Sequence, residues 1–221
     1  NIKSKIFALL LLGLMQGSTS LWASPFLGIS PMLVKPQVKG HSSDSSFGIS
    51  VRGGYEFLSS RYFLSGHAIE VETGFTYYSF DSGYPGTNDI STRMIPLFAN
   101  YRFTQYFGSS ASDLNGMEYW SPDFILYVGA GLGGVHVSGS ENPGGPVSID
   151  FSQVNVAAQF FLGLGIGFTE HLSLTTGYRH IFMNDVDTEG QLWTGMDTSV
   201  RHQSSYDTSF HILDLNLRWL W

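Results

Sequence analysis

Gly129, Gly131 and Gly134 form G-x-G-x-x-G within FILYVGAGLGGVHV, the spacing of a dinucleotide-binding turn. That turn works only when a helix follows it and offers its N-terminal amides to a pyrophosphate. The residues that follow, VHVSGSENPGGP, cannot be that helix, so no cofactor is expected. His136 and Ser138 form H-x-S with Glu141 close by, a base, a hydroxyl and an acid of the kind that acyl-ester chemistry uses. A polar rim where a strand passes into a loop accounts for the same three residues. Asp185 to Gly190, DVDTEG, begins like a calcium loop, but its twelfth position is Met196 where a bidentate glutamate is required, and a solvated acidic loop is the expectation. The histidines show no paired ligand spacing. His171 is read in a turn and His180 and His211 at a rim, so no metal site is expected, nor any catalytic one.

The charges that remain lie in a pattern. Arg52, Glu56, Glu70, Glu72, Arg102, Arg179, Asp214 and Arg218 comprise four basic and four acidic residues, each in the middle of an apolar stretch. The stretches alternate. In HILDLNLRWLW the residues His211, Leu213, Leu215, Leu217, Trp219 and Trp221 share one face, and Asp214, Asn216 and Arg218 the other. FGISVRGGYEF sets Phe47, Ile49, Val51, Tyr55 and Phe57 against Ser50, Arg52 and Glu56, and AIEVETGFTYY sets Ile69, Val71, Phe75 and Tyr77 against Glu70, Glu72 and Thr76. TRMIPLFANYRF, VNVAAQFFLGLGIGF and LSLTTGYRHIF behave alike, and the opening stretch joins them, with Phe124, Leu126, Val128, Ala130 and Leu132 opposite Tyr127, Gly129, Gly131 and Gly133. With FLGISPMLVKP, where Pro31 and Pro36 blur the pattern, the count is eight strands.

A soluble sandwich also alternates. The polar face decides between the two, because it holds arginine opposite carboxylates and no lysine, which suits the inside of a narrow cylinder better than a solvated surface. Apolar outside and polar inside is what a closed transmembrane barrel requires. The expected fold is all-β, a closed antiparallel eight-stranded transmembrane up-and-down barrel, with the eight charges as a structural network in its lumen.

Composition agrees. Of 221 residues 26 are glycine, aromatics make up 15% and charged residues only 13%, about half the share usual in soluble domains. A net charge of −7, with no basic cluster beyond the N-terminus, argues against nucleic acid as a partner. Lys3 and Lys5, the apolar run Ile6 to Met15 and the small residues before Ala23 have the order of a secretory signal. The expected division is a signal peptide over residues 1–23 and the barrel domain over 24–221. An even strand number puts both termini in the periplasm, with short turns at SSRY and TEH and long loops at DSGYPGTND, GSENPGGP and NDVDTEGQLWTGMDTSVRHQSSYD outside. GSSASDLNGMEYW, within 107–120, is long for the periplasmic side. Aromatics are expected to gird the rims, Phe57, Phe103, Tyr106, Trp120, Phe168, Trp219 and Trp221 on the inner side and Tyr77, Phe80 and Phe182 on the outer.

IPLFANYRF, YVGAGLGG, LGLGIGFTEHLSLTTGYRH and the terminal LDLNLRWLW, after a signal peptide, resemble the OmpA-like outer-membrane β-barrel proteins over essentially the whole mature chain. His180 and Trp221 stand where that family more usually has Tyr or Phe. The resemblance implies an outer-membrane location among lipid and lipopolysaccharide, and insertion by the barrel-assembly machinery, which reads the last strand through Leu213, Leu215, Leu217, Trp219 and Trp221. It implies a monomer with mobile outer loops that could meet a host or surface ligand. It does not imply one activity. A non-enzymatic structural or adhesin-like barrel leads, a narrow channel comes second and a lipid A 3-O-deacylase-like hydrolase third. In the deacylases the resembling motif is H-x-S-N on the penultimate strand, and this chain reads HIFMN there, with Phe182 in the serine's place.

Overall fold

The computed structural model describes residues 22–39, 43–59, 65–80, 90–108, 110–112, 118–120, 124–141, 149–169, 171–193 and 199–221. Twelve strands are present among them: β1 (Trp22–Val38), β2 (Ser46–Ser59), β3 (Ser65–Phe80), β4 (Ile90–Phe107), β5 (Ser110–Ser112), β6 (Glu118–Trp120), β7 (Phe124–Glu141), β8 (Ile149–Gly167), β9 (Leu172–Met183), β10 (Val186–Trp193), β11 (Ser199–Tyr206) and β12 (Thr208–Leu220). Eight of them, in the order β1-β2-β3-β4-β7-β8-β9-β12, form a closed barrel in which β12 returns to β1. Every neighbouring pair is antiparallel, and no helix is present among the described residues. The fold is thus the all-β up-and-down barrel that the alternation predicts. Closure gives each of the eight barrel strands a partner on both sides.

In the middle of the wall the outward residues of every barrel strand are mainly apolar and exposed, Leu27 and Ile29 on β1 through Leu213, Leu215, Leu217 and Trp219 on β12. Prolines interrupt the ladder where their missing N–H must. The β1–β12 pairing skips Ser30 and Pro31, and there the Ser30 hydroxyl donates to Asn216 Oδ1 at 3.0 Å. The β3–β4 pairing likewise skips Pro96, whose carbonyl accepts from Thr73 Oγ1 at 2.9 Å.

Two connections differ from the expectation. The segment 184–207, read as one long loop, is mostly a two-stranded ribbon in which β10 and β11 pair from Val186↔Tyr206 to Trp193↔Ser199. DVDTEG is therefore extended chain and not a folded calcium loop; Met196 lies outside the described residues. The long turn 107–120 contains the small pair β5–β6, with Ser110 opposite Trp120. Residues 1–21 of the expected signal peptide also lie outside the described residues, and its last two, Trp22 and Ala23, pair with Leu58 and Phe57.

Candidate functional site

Inward residues follow from strand parity, and the lumen they fill has two storeys. At the end that carries the termini all eight charges predicted for the lumen lie inside: Arg52, Glu56, Glu70, Glu72, Arg102, Arg179, Asp214 and Arg218 are each at most 5% exposed. Four of them close a ring. Arg52 pairs with Asp214 and stands 3.5 Å from Glu72, while Arg179 pairs with Glu72 and, at 2.5 Å, with Asp214. Arg52 and Glu72 are on the adjacent strands β2 and β3, and Arg179 and Asp214 on β9 and β12, so the ring ties together opposite sides of the wall. Gln159 on β8 donates to Glu72 at 3.1 Å and to Asn100 Oδ1 at 2.7 Å, and the Asn100 amide donates to Glu70 and to Glu72 at 3.2 Å each.

Nearer the termini Arg218 meets Glu56 at 2.8 Å, and the Tyr106 hydroxyl donates to the same carboxylate at 2.7 Å. The Phe26 ring lies beneath both Arg218 and Arg102, 4.1 and 5.0 Å from their guanidinium carbons. Arg102 is held most loosely, 3.6 Å from Glu70, and its Nε and Nη2 lack a hydrogen-bond partner among the described residues.

Cross-strand proximity predicts pairing between neighbouring strands. Three of the six ion pairs among the described residues follow it, and the other three cross the bore or skip a strand, because a long arginine side chain in so narrow a cylinder reaches the far wall. Tyr106 corrects the expected inner girdle: it is buried in the lumen, two residues on from Thr104 and four from Arg102, and parity from Arg102 already points it inward. Phe57 and Phe103 are partly exposed, Phe168, Trp219 and Trp221 are exposed at that rim, and Tyr77 and Phe182 are exposed near the other. The side chains of Trp120 and Phe80 lie outside the described residues.

The storey towards the loops carries no buried charge among the described residues and is mainly apolar, with Thr76, Thr92, Asn155 and Thr208 as its buried polar side chains, which the polar-inside reading did not foresee. Met32, Val34, Met94, Phe98, Val135, Ile181, Phe210 and Ile212 pack there with Tyr78, Ile90 and Val137. Glycines make room for the large groups below this plug. A Cβ on Gly129 would enter the Phe161 ring, and one on Gly163 or Gly177 would strike the Tyr127 hydroxyl. Of the G-x-G-x-x-G motif, Gly129 and Gly131 face the lumen and Gly134 faces out, so the motif is divided between the two sides of one strand.

Outside the lumen, His136 and Ser138 both lie on the outer face of β7, but His136 Nε2 is 3.0 Å from Ser152 Oγ on β8, and the H-x-S pair itself makes no hydrogen bond. The Glu141 side chain lies outside the described residues. His180 and His211, far apart in sequence, are cross-strand partners with Nδ1 atoms 3.2 Å apart, and Tyr178 and Gln37 hold His211 at 2.5 and 3.0 Å. Spacing along the chain carries no signal for such a pair; strand register does. His171 stacks on Trp219 beside the terminal turn.

Residues 6–201 match the outer membrane protein beta-barrel domain. The chain belongs to that family. This outer-membrane barrel is similar in fold to Neisserial surface protein A, at 15% identity over 90% of this chain and 98% of that one, with a TM-score of 0.51. Ail, the attachment invasion locus protein of Yersinia pestis, matches at 14% identity over 90% and 97% of the two chains, with a TM-score of 0.48. The N-terminal β-barrel domain of Pseudomonas aeruginosa OprF matches at 15% identity over 87% and 97%, with a TM-score of 0.36. No curated protein sequence matches the chain.

Proposed function

We propose that this outer-membrane barrel is a non-enzymatic, non-conducting protein that presents its loop end at the cell surface, with both termini in the periplasm. The observation that carries this reading is the filled bore: a charge network occupies one storey and an apolar plug the other, which leaves the wall and the rims as the working surfaces. Strand length supports it. A membrane strand needs about 9–11 residues, whereas β4 and β7 have 18 each, β8 has 19, and the β10–β11 ribbon adds further sheet at the loop end. In this reading residues 1–23 are a signal peptide and 24–221 the barrel. Leu213, Leu215, Leu217, Trp219 and Trp221 are the face of the last strand that the assembly machinery reads, and the protein stands as a monomer among lipopolysaccharide.

The hydrolase reading draws on the contact between His136 and Ser152. It lacks an oxyanion site, since the backbone amides around these residues are spent on ladder pairing between β7 and β8. One experiment separates the readings: purified protein in planar bilayers, beside mass spectrometry of lipid A from expressing cells and adhesion of those cells to coated surfaces. No conductance steps, unchanged lipid A and adhesion that falls when residues 186–206 are excised are expected. Steady conductance would replace the proposal with a channel, and loss of one acyl chain, abolished by Ser152→Ala, with a hydrolase.

A further inference from the structure

Above the apolar band one sector of the outer wall turns polar. Tyr77, Arg93, Ser138 and Ser152 are successive cross-strand partners on β3, β4, β7 and β8, and Ser79, Ser91, Ser140 and Asp150 form the next row towards the loops. On the membrane side of these rows the outward residues Phe75, Ile95 and Val154 are apolar and exposed, and His136, between Ile95 and Val154, is polar and half-buried, 3.0 Å from Ser152 Oγ. A cavity of about 360 Å³ opens in this sector, lined by Tyr77, Ser91, Arg93, Ser138, Ser140 and Asp150. That volume is in the range of small-ligand sites. Arg93 is exposed and, among the described residues, forms no ion pair, unlike the four lumen arginines.

We infer that this sector binds the phosphorylated sugar headgroup of an outer-leaflet lipopolysaccharide. The inference rests on the reading that the loop end faces outward. The fork of Arg93 suits a phosphate, and the serine hydroxyls and the Tyr77 phenol can donate to its remaining oxygens. Asp150, with β7 between its strand and that of Arg93, opposes a bare anion; it accepts instead from sugar hydroxyl or amide groups. A molecule with a phosphate at one end and such donors at the other satisfies both walls. The strand backbone holds the cavity rigid, and the apolar band below it receives the acyl chains.

The test is native mass spectrometry of the folded protein in detergent, titrated with bisphosphorylated lipid A, dephosphorylated lipid A, soluble glucosamine 1-phosphate and inorganic phosphate. Wild type should retain bisphosphorylated lipid A best. Arg93→Ala should weaken that binding by about tenfold, to the level of dephosphorylated lipid A on wild type, with Arg93→Lys between them. Ser138→Ala with Ser140→Ala should weaken it by a smaller factor, and Lys35→Ala, on β1 outside this sector, should leave it unchanged. All these substitutions are of outward-facing side chains, and the heat-shifted gel mobility of each variant reports that it is folded. Equal retention by Arg93→Ala and wild type would overturn the site. Glucosamine 1-phosphate binding as tightly as lipid A would overturn the lipid source in favour of a free sugar phosphate. Orientation is read separately by labelling a cysteine placed in residues 81–89 on intact cells; an unlabelled loop end with phosphate binding intact would overturn the surface reading and the lipopolysaccharide source, and leave the cavity's chemistry standing.

Discussion

The half of the bore next to the termini is closed by eight charges and the half next to the loops by side chains that carry none. In the first, every guanidinium must find carboxylate oxygens at particular places, and Arg102, with two nitrogens unpartnered among the described residues, shows how hard that is to complete. In the second, Phe98, Met94, Ile181 and Ile212 need only fill the space, and any close packing satisfies them. A membrane barrel must therefore have an interior that is filled and satisfied, which need not mean a polar one. The difference also separates two jobs: the charged half sets which strands face each other across the lumen, and the apolar half seals.

The largest effect is expected from Arg179→Ala. It strands Glu72 and Asp214, leaving Arg52 as the arginine that both still share, and should cost about 3–5 kcal/mol if the site is dry, read as a lower urea midpoint for the folded barrel. It should not conduct in planar bilayers, because the plug remains. A conductance in this single variant would mean that the charges are the sole seal. Met94→Ala tests the other storey, at a cost of roughly 2–5 kcal/mol, again without conductance. Joining Phe98→Ala to Arg179→Ala breaches both storeys and is the combination expected to conduct; silence there would show that something besides these two seals closes the bore. Gly177→Ala, which sets a methyl against the Tyr127 hydroxyl, should cost about 1–3 kcal/mol by overpacking, again as a shift in urea midpoint. Leu174→Ala, on the lipid side of β9, should shift it least, since lipid refills the gap outside whereas nothing apolar can refill one within. A Leu174→Ala loss equal to that of Met94→Ala would remove the distinction between wall and plug.

The alternation predicts the barrel, its eight strands and the inward place of all eight charges, because facing is a property of a strand alone: two residues along, the side chain returns to the same side. Tyr106 is legible by that rule too, although an aromatic at a strand end equally fits an interfacial girdle. The apolar plug was harder to see. Met94, Phe98, Val135 and Ile181 look like any apolar residue in the sequence, and only their parity, counted from Arg102 or Arg179, puts them inside. The outward polar rows around Arg93 were hidden for a different reason: Ser91, Ser138, Ser140 and Asp150 come from three separate strands and are rim residues until register joins them.

By itself, then, the order of residues determined which side chains face lipid and which face the lumen, since steric alternation needs no partner strand. Tertiary structure decided who meets whom. That Arg179 joins Glu72 across the bore, that His180 stands beside His211, and that Arg93 shares a cavity with Asp150 all depend on the stagger of the strands and the width of the cylinder. Those quantities become fixed only when β12 closes on β1.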